Sequence, residues 1–407
     1  MTVKASQNRF VGSTRNGLPA LSDALDLLSA NAQEAAEVLM LMLDGGVRTR
    51  GQLISETGLA RSAVGAQIDS LLHAGLLSPE GEAASTGGRP PVQFRFNPAA
   101  RVVLAADLGA SHATLALTDL AGRPIEKVHE QINIAQGPEE VLSWVLEQGT
   151  ALIERSGRGD DLIGVGIGVP GPVEHSTGRP VRPPIMLGWD GFDIPARIRR
   201  GLPVPVLVDN DVNLMALGEH ILVHRNVEHL LFVKVATGIG GGIIMGGRLH
   251  RGAKGAAGDL GHVFTPSGDG VLCRCGNTGC LEAVASGPAI AARLRAQGLN
   301  AETPLDVFKL AEGGNMLAAA ELREAGRMIG DTLAACVSLL NPSVIVLGGV
   351  LSRAGDHLLA GVRERVYTRS LPLATGDLQI LPAGTGRDAA VAGAAVMVTQ
   401  HVLAISR

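Results

Sequence analysis

The stretch Gly258-Asp259-Leu260-Gly261-His262, continued by Cys273-Arg274-Cys275-Gly276-Asn277-Thr278-Gly279-Cys280-Leu281-Glu282, decides how the rest of the chain is interpreted. It holds three of the four cysteines of the chain and a histidine eleven residues before the first of them. One imidazole and three thiolates are the tetrahedral ligand set of a closed structural Zn²⁺ site. Polar, glycine-rich flanks argue against cysteines that are simply buried. We therefore predict a structural zinc site whose ligands are His262, Cys273, Cys275 and Cys280.

The composition is that of a soluble globular protein with more than one domain. A chain of 407 residues is too long for a single core, and 46% hydrophobic with 18% charged residues excludes a disordered chain. No apolar run approaches the ~20 residues that span a bilayer, and no signal core follows Met1, so we expect a cytoplasmic protein without a membrane partner. The net charge of −4 means that any nucleic-acid surface must be a local feature.

The first hundred residues predict a winged helix-turn-helix. Residues 1–20 have no periodicity and are expected to form a flexible arm. In residues 21–98, helices are predicted over 50–57, with Thr49 as N-cap, and over 61–74; a hairpin is predicted over 87–96. The alternative is a small protein-interaction module with a solvated polar face. Under the DNA-binding interpretation the contact residues are Arg61, Ser62 and Gln67 on the second helix and Gly88 and Arg89 at the wing tip.

The remaining chain alternates apolar strands with glycine turns. Asp107-Leu108-Gly109-Ala110-Ser111-His112 follows one strand, and Thr237-Gly238-Ile239-Gly240-Gly241-Gly242 follows another. Asp209-Asn210-Asp211-Val212-Asn213 lies between them, again after an apolar strand. Such glycine turns can present backbone N–H groups to phosphate oxygens, although plain turns use the same residues. Two strand–turn–strand halves around a carboxylate predict an α/β, two-lobed actin-like ATPase and sugar-kinase (ribonuclease H-like) fold.

Together with the winged helix, these motifs resemble the ROK family of repressors, open reading frames and sugar kinases. The resemblance covers residues 33–400, and the cysteine block is its most specific part. It implies an N-terminal DNA-binding domain over 21–98 and a first lobe over 99–225. The final helix, 386–407, would complete that first lobe, and the second lobe, 226–385, would hold the zinc site.

The resemblance also implies roles for individual residues. Asp211 matches the catalytic base of the family's kinases, which accepts the proton of the attacking sugar hydroxyl. The implied sugar contacts are Asn210, Asp211, Asp259, His262 and Glu282. The implied nucleotide phosphate contacts, for ATP with Mg²⁺, are Gly109, Ser111, Thr237, Gly238 and Gly240. Cys336 lies in an apolar helical run and is expected to belong to the core.

Three positions depart from the family pattern. His112 stands where the kinases usually carry Lys, which weakens the positive charge at the phosphate site. Asp259 replaces Glu, which withdraws a carboxylate by about 1 Å. Ile185 lies in a segment that often offers an Asn to the sugar. These changes predict an altered ligand and reduced capacity for ATP turnover.

The leading functional hypothesis is a sugar-responsive transcriptional regulator, expected to act as a repressor on a palindromic operator. Its predicted partners are double-stranded operator DNA, a sugar or phosphosugar, and further copies of itself in a homodimer or homotetramer. The rival hypothesis is an ATP-dependent hexose kinase with an accessory DNA-binding domain, or a protein with both functions. A third is a kinase-like fold that serves only to dimerise the winged helix.

Overall fold

The computed structural model describes residues 32–82 and 90–403. Its first part, which we call the N-terminal unit, combines three helices with a three-stranded antiparallel sheet. The helices are Ala32–Met42 (α1), Arg50–Thr57 (α2) and Arg61–His73 (α3). The sheet has the order Arg48–Thr49 (β1), Val92–Phe96 (β3) and Leu77–Glu82 (β2).

Local sequence sets the limits of these helices. The Thr49 side chain caps the backbone of Gln52, whose own side chain accepts from the Thr49 N–H, so α2 begins with a complete capping box. Gly58 ends it with a left-handed φ of 70°. The prediction of α2 is confirmed at both ends, and α3 ends one residue earlier than expected. The hairpin begins earlier than predicted, because its first strand is Leu77–Glu82 rather than part of 87–96.

One predicted DNA contact is wrong. Gln67 is only 3% exposed, because it lies three residues after Val64 and four before Leu71, both of which are buried on the core side of α3. Arg61 and Ser62, at the start of α3, are exposed. The arm over 1–20 and the wing-tip residues Gly88 and Arg89 lie outside the described residues.

Two five-stranded sheets form the bulk of the molecule. The first has the order Val206–Asn210 (β10), Leu162–Val169 (β7), Val102–Leu108 (β4), Ala113–Asp119 (β5) and Pro124–Glu130 (β6). The second has the order Arg248–His250 (β13), Ile239–Met245 (β12), Leu230–Val235 (β11), Val344–Gly348 (β14) and Gln379–Pro382 (β15). A two-stranded ribbon pairs Val173–Glu174 (β8) with Arg179–Pro180 (β9). The sheets mix parallel and antiparallel pairs, as expected for the predicted α/β fold.

Ten further helices flank these sheets in the described part of the chain. They are Pro138–Ser156 (α4), Ile194–Arg199 (α5), Asp211–Leu222 (α6), Leu281–Ala285 (α7), Gly287–Ala296 (α8), Pro304–Glu312 (α9), Met316–Leu340 (α10), His357–Arg369 (α11), Pro372–Thr375 (α12) and Ala389–Val402 (α13). Cys336, on α10, is partly buried and packs against the core of the second sheet, as predicted. Within the described residues, no helix has the length and apolar character needed to cross a membrane.

The N-terminal unit and the first sheet share one continuous hydrophobic core. Buried residues of the unit, such as Leu39 and Phe96, belong to the same cluster as Leu217 of α6 and Met397 of α13. The guanidinium of Arg225, three residues beyond α6, also donates a hydrogen bond to the carbonyl oxygen of Leu43. The unit is therefore packed against α6 and α13 rather than tethered to them.

Helices α6 and α13 cross at close range because both carry glycine at the crossing. A Cβ atom added at Gly393 would lie 1.9 Å from the carbonyl oxygen of Leu214. One added at Gly218 would lie 2.0 Å from the carbonyl oxygen of Ala389. The glycines on both helices thus permit the close approach of α6 and α13.

Candidate functional site

A cavity of about 510 Å³ opens between the two sheets and brings most of the predicted site residues together. The predicted residues that line it are Ser111, Asn210, Asp211, Thr237, Gly238, Gly240, Asp259, His262, Cys275 and Glu282. Gly109 is not among the lining residues. Further cationic side chains, Arg182, Lys234 and Arg274, line the cavity but were not identified from the sequence as site residues.

Asn210 and Asp211 reach the cavity because β10 ends there and α6 begins. The Asn210 Oδ1 atom caps α6 by accepting from the N–H groups of Val212, at 2.9 Å, and Asn213, at 3.3 Å. Its Nδ2 atom donates to the carbonyl oxygen of Gly171 at 3.1 Å. These bonds fix the amide at the cleft floor and leave one of its N–H groups for another acceptor.

Asp211 forms an ion pair with Lys234 on the floor of the cavity. The Lys234 Nζ atom lies 2.5 Å from Asp211 Oδ2, and Asp211 is only 2% exposed. Burial raises the pKa of Asp211, and the positive charge of Lys234 opposes that rise. Burial alone would lower the pKa of Lys234, but the carboxylates of Asp211 and Asp107 outweigh it and raise that pKa. The pair therefore holds a protonated lysine against a buried carboxylate.

A second ion pair joins the two sheets beside the first. Asp209 is 1% exposed, and its Oδ2 atom accepts from Arg251 Nε at 2.6 Å. Its Oδ1 atom accepts from the Asn213 side chain at 2.9 Å. Because Arg251 follows β13 and Asp209 is the next-to-last residue of β10, this bond links the two sheets directly. Because the Asp209 carboxylate is buried, removal of either partner would leave an unpaired charge and lower the stability of the fold.

The glycine turns offer fewer free backbone donors than the sequence suggests. The Ile239 N–H donates to Glu282 Oε2 at 3.0 Å, and the Gly241 N–H donates to the carbonyl oxygen of Gly258. In the first turn, the Gly109 N–H donates to the carbonyl oxygen of His112, whose ring lies against Gly109. Donors that already have protein partners contribute less to binding a phosphate group.

The four predicted metal ligands form one cluster. Their ligand atoms all lie within 4.8 Å of one another, with Cys275 Sγ 3.7 Å from Cys280 Sγ and His262 Nδ1 3.7 Å from Cys273 Sγ. Sulfurs bound to Zn²⁺ at ~2.3 Å in a tetrahedron are about 3.8 Å apart, so the spacing fits a tetrahedral metal. Gly276, with a φ of 94°, makes the tight turn between the cysteines.

The metal cluster is directly connected to the cleft. Cys280 is the N-cap residue of α7, and Glu282 stands in the first turn of that helix and lines the cavity. His262 ends a 3₁₀ turn over Leu260–His262 and lines the same cavity. A metal that fixes His262 and Cys280 would therefore also fix the Glu282 carboxylate.

The two sheets, the cleft between them and the His/Cys₃ cluster define a protein with a sugar-kinase-like, actin-like domain. The chain belongs to the ROK family, whose profile matches residues 103–401. It is 29% identical to the xylose repressor of Bacillus spizizenii over 88% of this chain and 92% of that one. A glucokinase of Halalkalibacterium halodurans is 31% identical, over 72% of this chain and 94% of its own.

A solved structure resembles the chain over nearly its whole length. It is the crystal structure of a ROK family transcriptional regulator, a homologue of the Escherichia coli MLC protein. The identity is 26% and the TM-score 0.79, over 94% of this chain and 97% of that one. The xylose repressor and this regulator thus match a larger share of the chain than the glucokinase does.

Proposed function

We propose that this protein is a sugar-responsive transcriptional regulator, in which the N-terminal unit is a winged helix that binds operator DNA. The observation that carries the proposal is the shared core between that unit and helix α6, whose first residues lie in the cleft. The printed names of two proteins that match about nine-tenths of the chain, a xylose repressor and a ROK family transcriptional regulator, support the same function. The sign of regulation that these names suggest is repression.

The start of α3 is suited to contact DNA. Arg61 and Ser62 are exposed there, and the N-cap residue Ala60 provides no side-chain hydrogen bond to the helix. The first backbone N–H groups of α3 therefore remain available for phosphate oxygens, next to a guanidinium. Gly88 and Arg89 follow the hairpin strand β2 and remain our proposed wing-tip contacts.

Helix α6 provides a direct connection between the sugar cleft and the N-terminal unit. Asn210 and Asp211 lie at its start, and Arg225, just past its end, bonds to Leu43 in the loop after α1. A sugar that binds one lobe arrangement more tightly than another would shift the population of the two. Movement of α6 would then change the position of the winged helix on DNA.

The main test is fluorescence anisotropy with the protein's own promoter region as the labelled DNA. We expect tighter binding to this DNA than to a shuffled sequence of equal length at about 0.15 M salt. Addition of D-xylose, D-glucose or N-acetyl-D-glucosamine should change that affinity for at least one sugar. Equal affinity for both DNAs would rule out the regulator, and no effect of any ligand would rule out sugar control by these three compounds.

The proposed coupling between sugar binding and DNA binding is tested by the variant Arg225→Met. Loss of the bond to Leu43 should reduce the effect of sugar on DNA affinity while sugar binding, measured by calorimetry, is retained. Arg155→Met is the matched control, because Arg155 forms an exposed ion pair with Glu126 on the edge strand β6 of the first sheet. Equal sugar effects on DNA binding in both variants and the wild type would exclude a role for Arg225.

We further propose that the His/Cys₃ cluster binds one structural Zn²⁺ per chain. The tetrahedral spacing and the N/S ligand set support zinc, and a bound dication would also stabilise the thiolates. Burial, followed by the neighbouring thiols of Cys275 and Cys273, raises the pKa of Cys280 to about 12, so the thiolate form requires a cation. Metal analysis of freshly purified protein should give one zinc per chain.

The alternative function is an ATP-dependent hexose kinase, and one observation favours it. Asp211 lies on the cleft floor, in one cavity with Ser111, Thr237, Gly238 and Gly240 from the two glycine turns. In that case the turns would hold ATP with Mg²⁺ and Asp211 would be the base. An ADP-release assay with the same three sugars tests this function, and turnover that Asp211→Asn abolishes would establish it.

The domain division and assembly state are also proposals. We assign 21–98 to the winged helix, 99–225 with 386–407 to the first lobe, and 226–385 to the second. A palindromic operator requires two winged helices related by a twofold axis, so we propose a homodimer or homotetramer. Light scattering on the purified protein distinguishes these from a monomer.

A further inference from the structure

Lys234 has an unusual position for a charged residue. It is the one charged side chain of β11, whose other residues, Leu230 to Phe232, Val233 and Val235, are buried and apolar. Its partners in register are Gly240 on β12 and Gly348 on β14. Directly opposed residues of neighbouring strands point to the same face, so Lys234 rises between two positions that lack side chains.

This arrangement places the ammonium group beside Asp211 on the lining of the cavity, where it is the more exposed partner of the ion pair. The Lys234 side chain is 20% exposed and lines the cavity, whereas the Asp211 side chain is 4% exposed. Nζ lies 2.5 Å from Asp211 Oδ2. A ligand on the cleft floor therefore meets a group that only donates hydrogen bonds before it meets the carboxylate.

The ion pair opposes the chemistry that Asp211 would perform in a kinase. There, a carboxylate oxygen accepts the proton of a sugar hydroxyl as the hydroxyl oxygen bonds to the γ-phosphorus and the bond to ADP breaks. A carboxylate oxygen bonded to an ammonium group is a weaker base than the same buried oxygen would be without it, and it is less accessible. The same ammonium group also offsets the charge of Asp107, which would otherwise help to attract Mg²⁺.

We propose that Lys234 withholds Asp211 from general-base catalysis and itself donates a hydrogen bond to the ligand, so that the cleft binds a sugar without phosphorylating it. The inference rests on the sugar cleft of the proposed function and adds a residue that separates sensing from turnover. Lys234 is thus a positioning residue for Asp211 and a specificity residue for the ligand.

The first test is ADP release from Mg-ATP in the presence of D-glucose, D-xylose or N-acetyl-D-glucosamine. Wild type and Lys234→Arg, which keeps the charge, should remain at background. Lys234→Ser should exceed background by on the order of a hundredfold with at least one sugar, the usual contribution of a general base. The double variant Lys234→Ser/Asp211→Asn should return to background. The matched control is Lys254→Ser, which removes an exposed lysine that pairs with Glu174. Its ADP release should remain at background.

Two results would overturn the proposal. One is turnover by the wild type that Asp211→Asn abolishes, because Asp211 would then act as a base despite Lys234. The other is a folded Lys234→Ser protein that stays at background with all three sugars. Folding is checked by circular dichroism and thermal unfolding.

A second variant covers the case in which Lys234→Ser does not fold. Lys234→Met in the Asp211→Asn background removes both charges and leaves no unpaired ion. Its sugar-induced rise in thermal midpoint should be lost relative to Asp211→Asn alone, and an equal rise in both proteins would show that Lys234 does not contact the sugar. A wild type that responds to none of the three sugars would instead count against the proposed sugar site.

Discussion

Replacement of Gly393 by alanine tests the close crossing of α6 and α13. The added Cβ would lie 1.9 Å from the carbonyl oxygen of Leu214, and an ordinary contact begins at 3.4 Å. The helices would have to separate by about 1.5 Å, the difference between these distances. The neighbour is backbone, which cannot rotate away as a flexible side chain can.

The expected cost follows from this geometry. Overpacking of a core costs about 1–3 kcal/mol, and a backbone clash belongs at the upper end of that range. Alanine recovers roughly 0.5–1 kcal/mol in helix propensity, which leaves a net loss of about 2 kcal/mol. For a cooperative unit of 150–250 residues this corresponds to a midpoint about 4–8 °C lower.

The assay is thermal unfolding followed by circular dichroism, with Gly51→Ala as the control. Gly51 is also in a helix, but a Cβ there would meet only Thr49 Oγ1, at 3.9 Å. Its midpoint should be unchanged or slightly raised. A Gly393→Ala protein within about 1 °C of wild type would refute the close crossing, because no clash of this size could then be present.

Three further predictions concern the metal, the DNA surface and pH. Cys275→Ser should remove the metal and cost on the order of 4 kcal/mol in stability, whereas Cys336→Ser should keep it; equal metal content in both variants would contradict the zinc site. Arg61→Ala should weaken operator binding and lower the slope of log affinity against log salt by about 1, and Arg200→Ala, an exposed arginine of the first lobe, should change neither. Burial lowers the pKa of His220. Near pH 6.5 the imidazole is therefore protonated more readily in the unfolded chain than in the folded one. The thermal midpoint should therefore fall as pH decreases from about 7.5 to 5.5, and His220→Gln should flatten that decline; a pH dependence identical to wild type would exclude His220 as its source.

Much of the local structure could be predicted because it depends on short-range rules. Thr49 and Gly58 define α2 through capping and a left-handed turn, and both act within a few residues. The His/Cys₃ grouping was also predictable, since the ligand types and their spacing already imply a shared centre. The repeated strand–glycine turn–strand pattern around Asp211 indicated the two-lobed fold, and the resemblance to the ROK family made that prediction more specific.

The errors have physical causes that differ in kind. Gln67 was assigned to DNA because of its polar side chain, although its spacing from Val64 and Leu71 places it on the buried face of α3. Lys234 was missed because its partner, Asp211, belongs to the other lobe, and no local pattern reports a contact between lobes. One signal was present in the sequence: a lone charge within a buried strand requires a counter-ion.

The packing of the N-terminal unit on α13 has a consequence for synthesis of the protein. Until residues 389–402 have emerged, some three hundred positions later, the helices of the N-terminal unit lack part of the hydrophobic cluster to which they belong. Native packing of the nascent N-terminal unit therefore waits for translation of α13. A fragment that stops before α13 would leave Leu217 and neighbouring apolar side chains open to solvent, which favours aggregation or proteolysis of truncated repressor over competition for the operator.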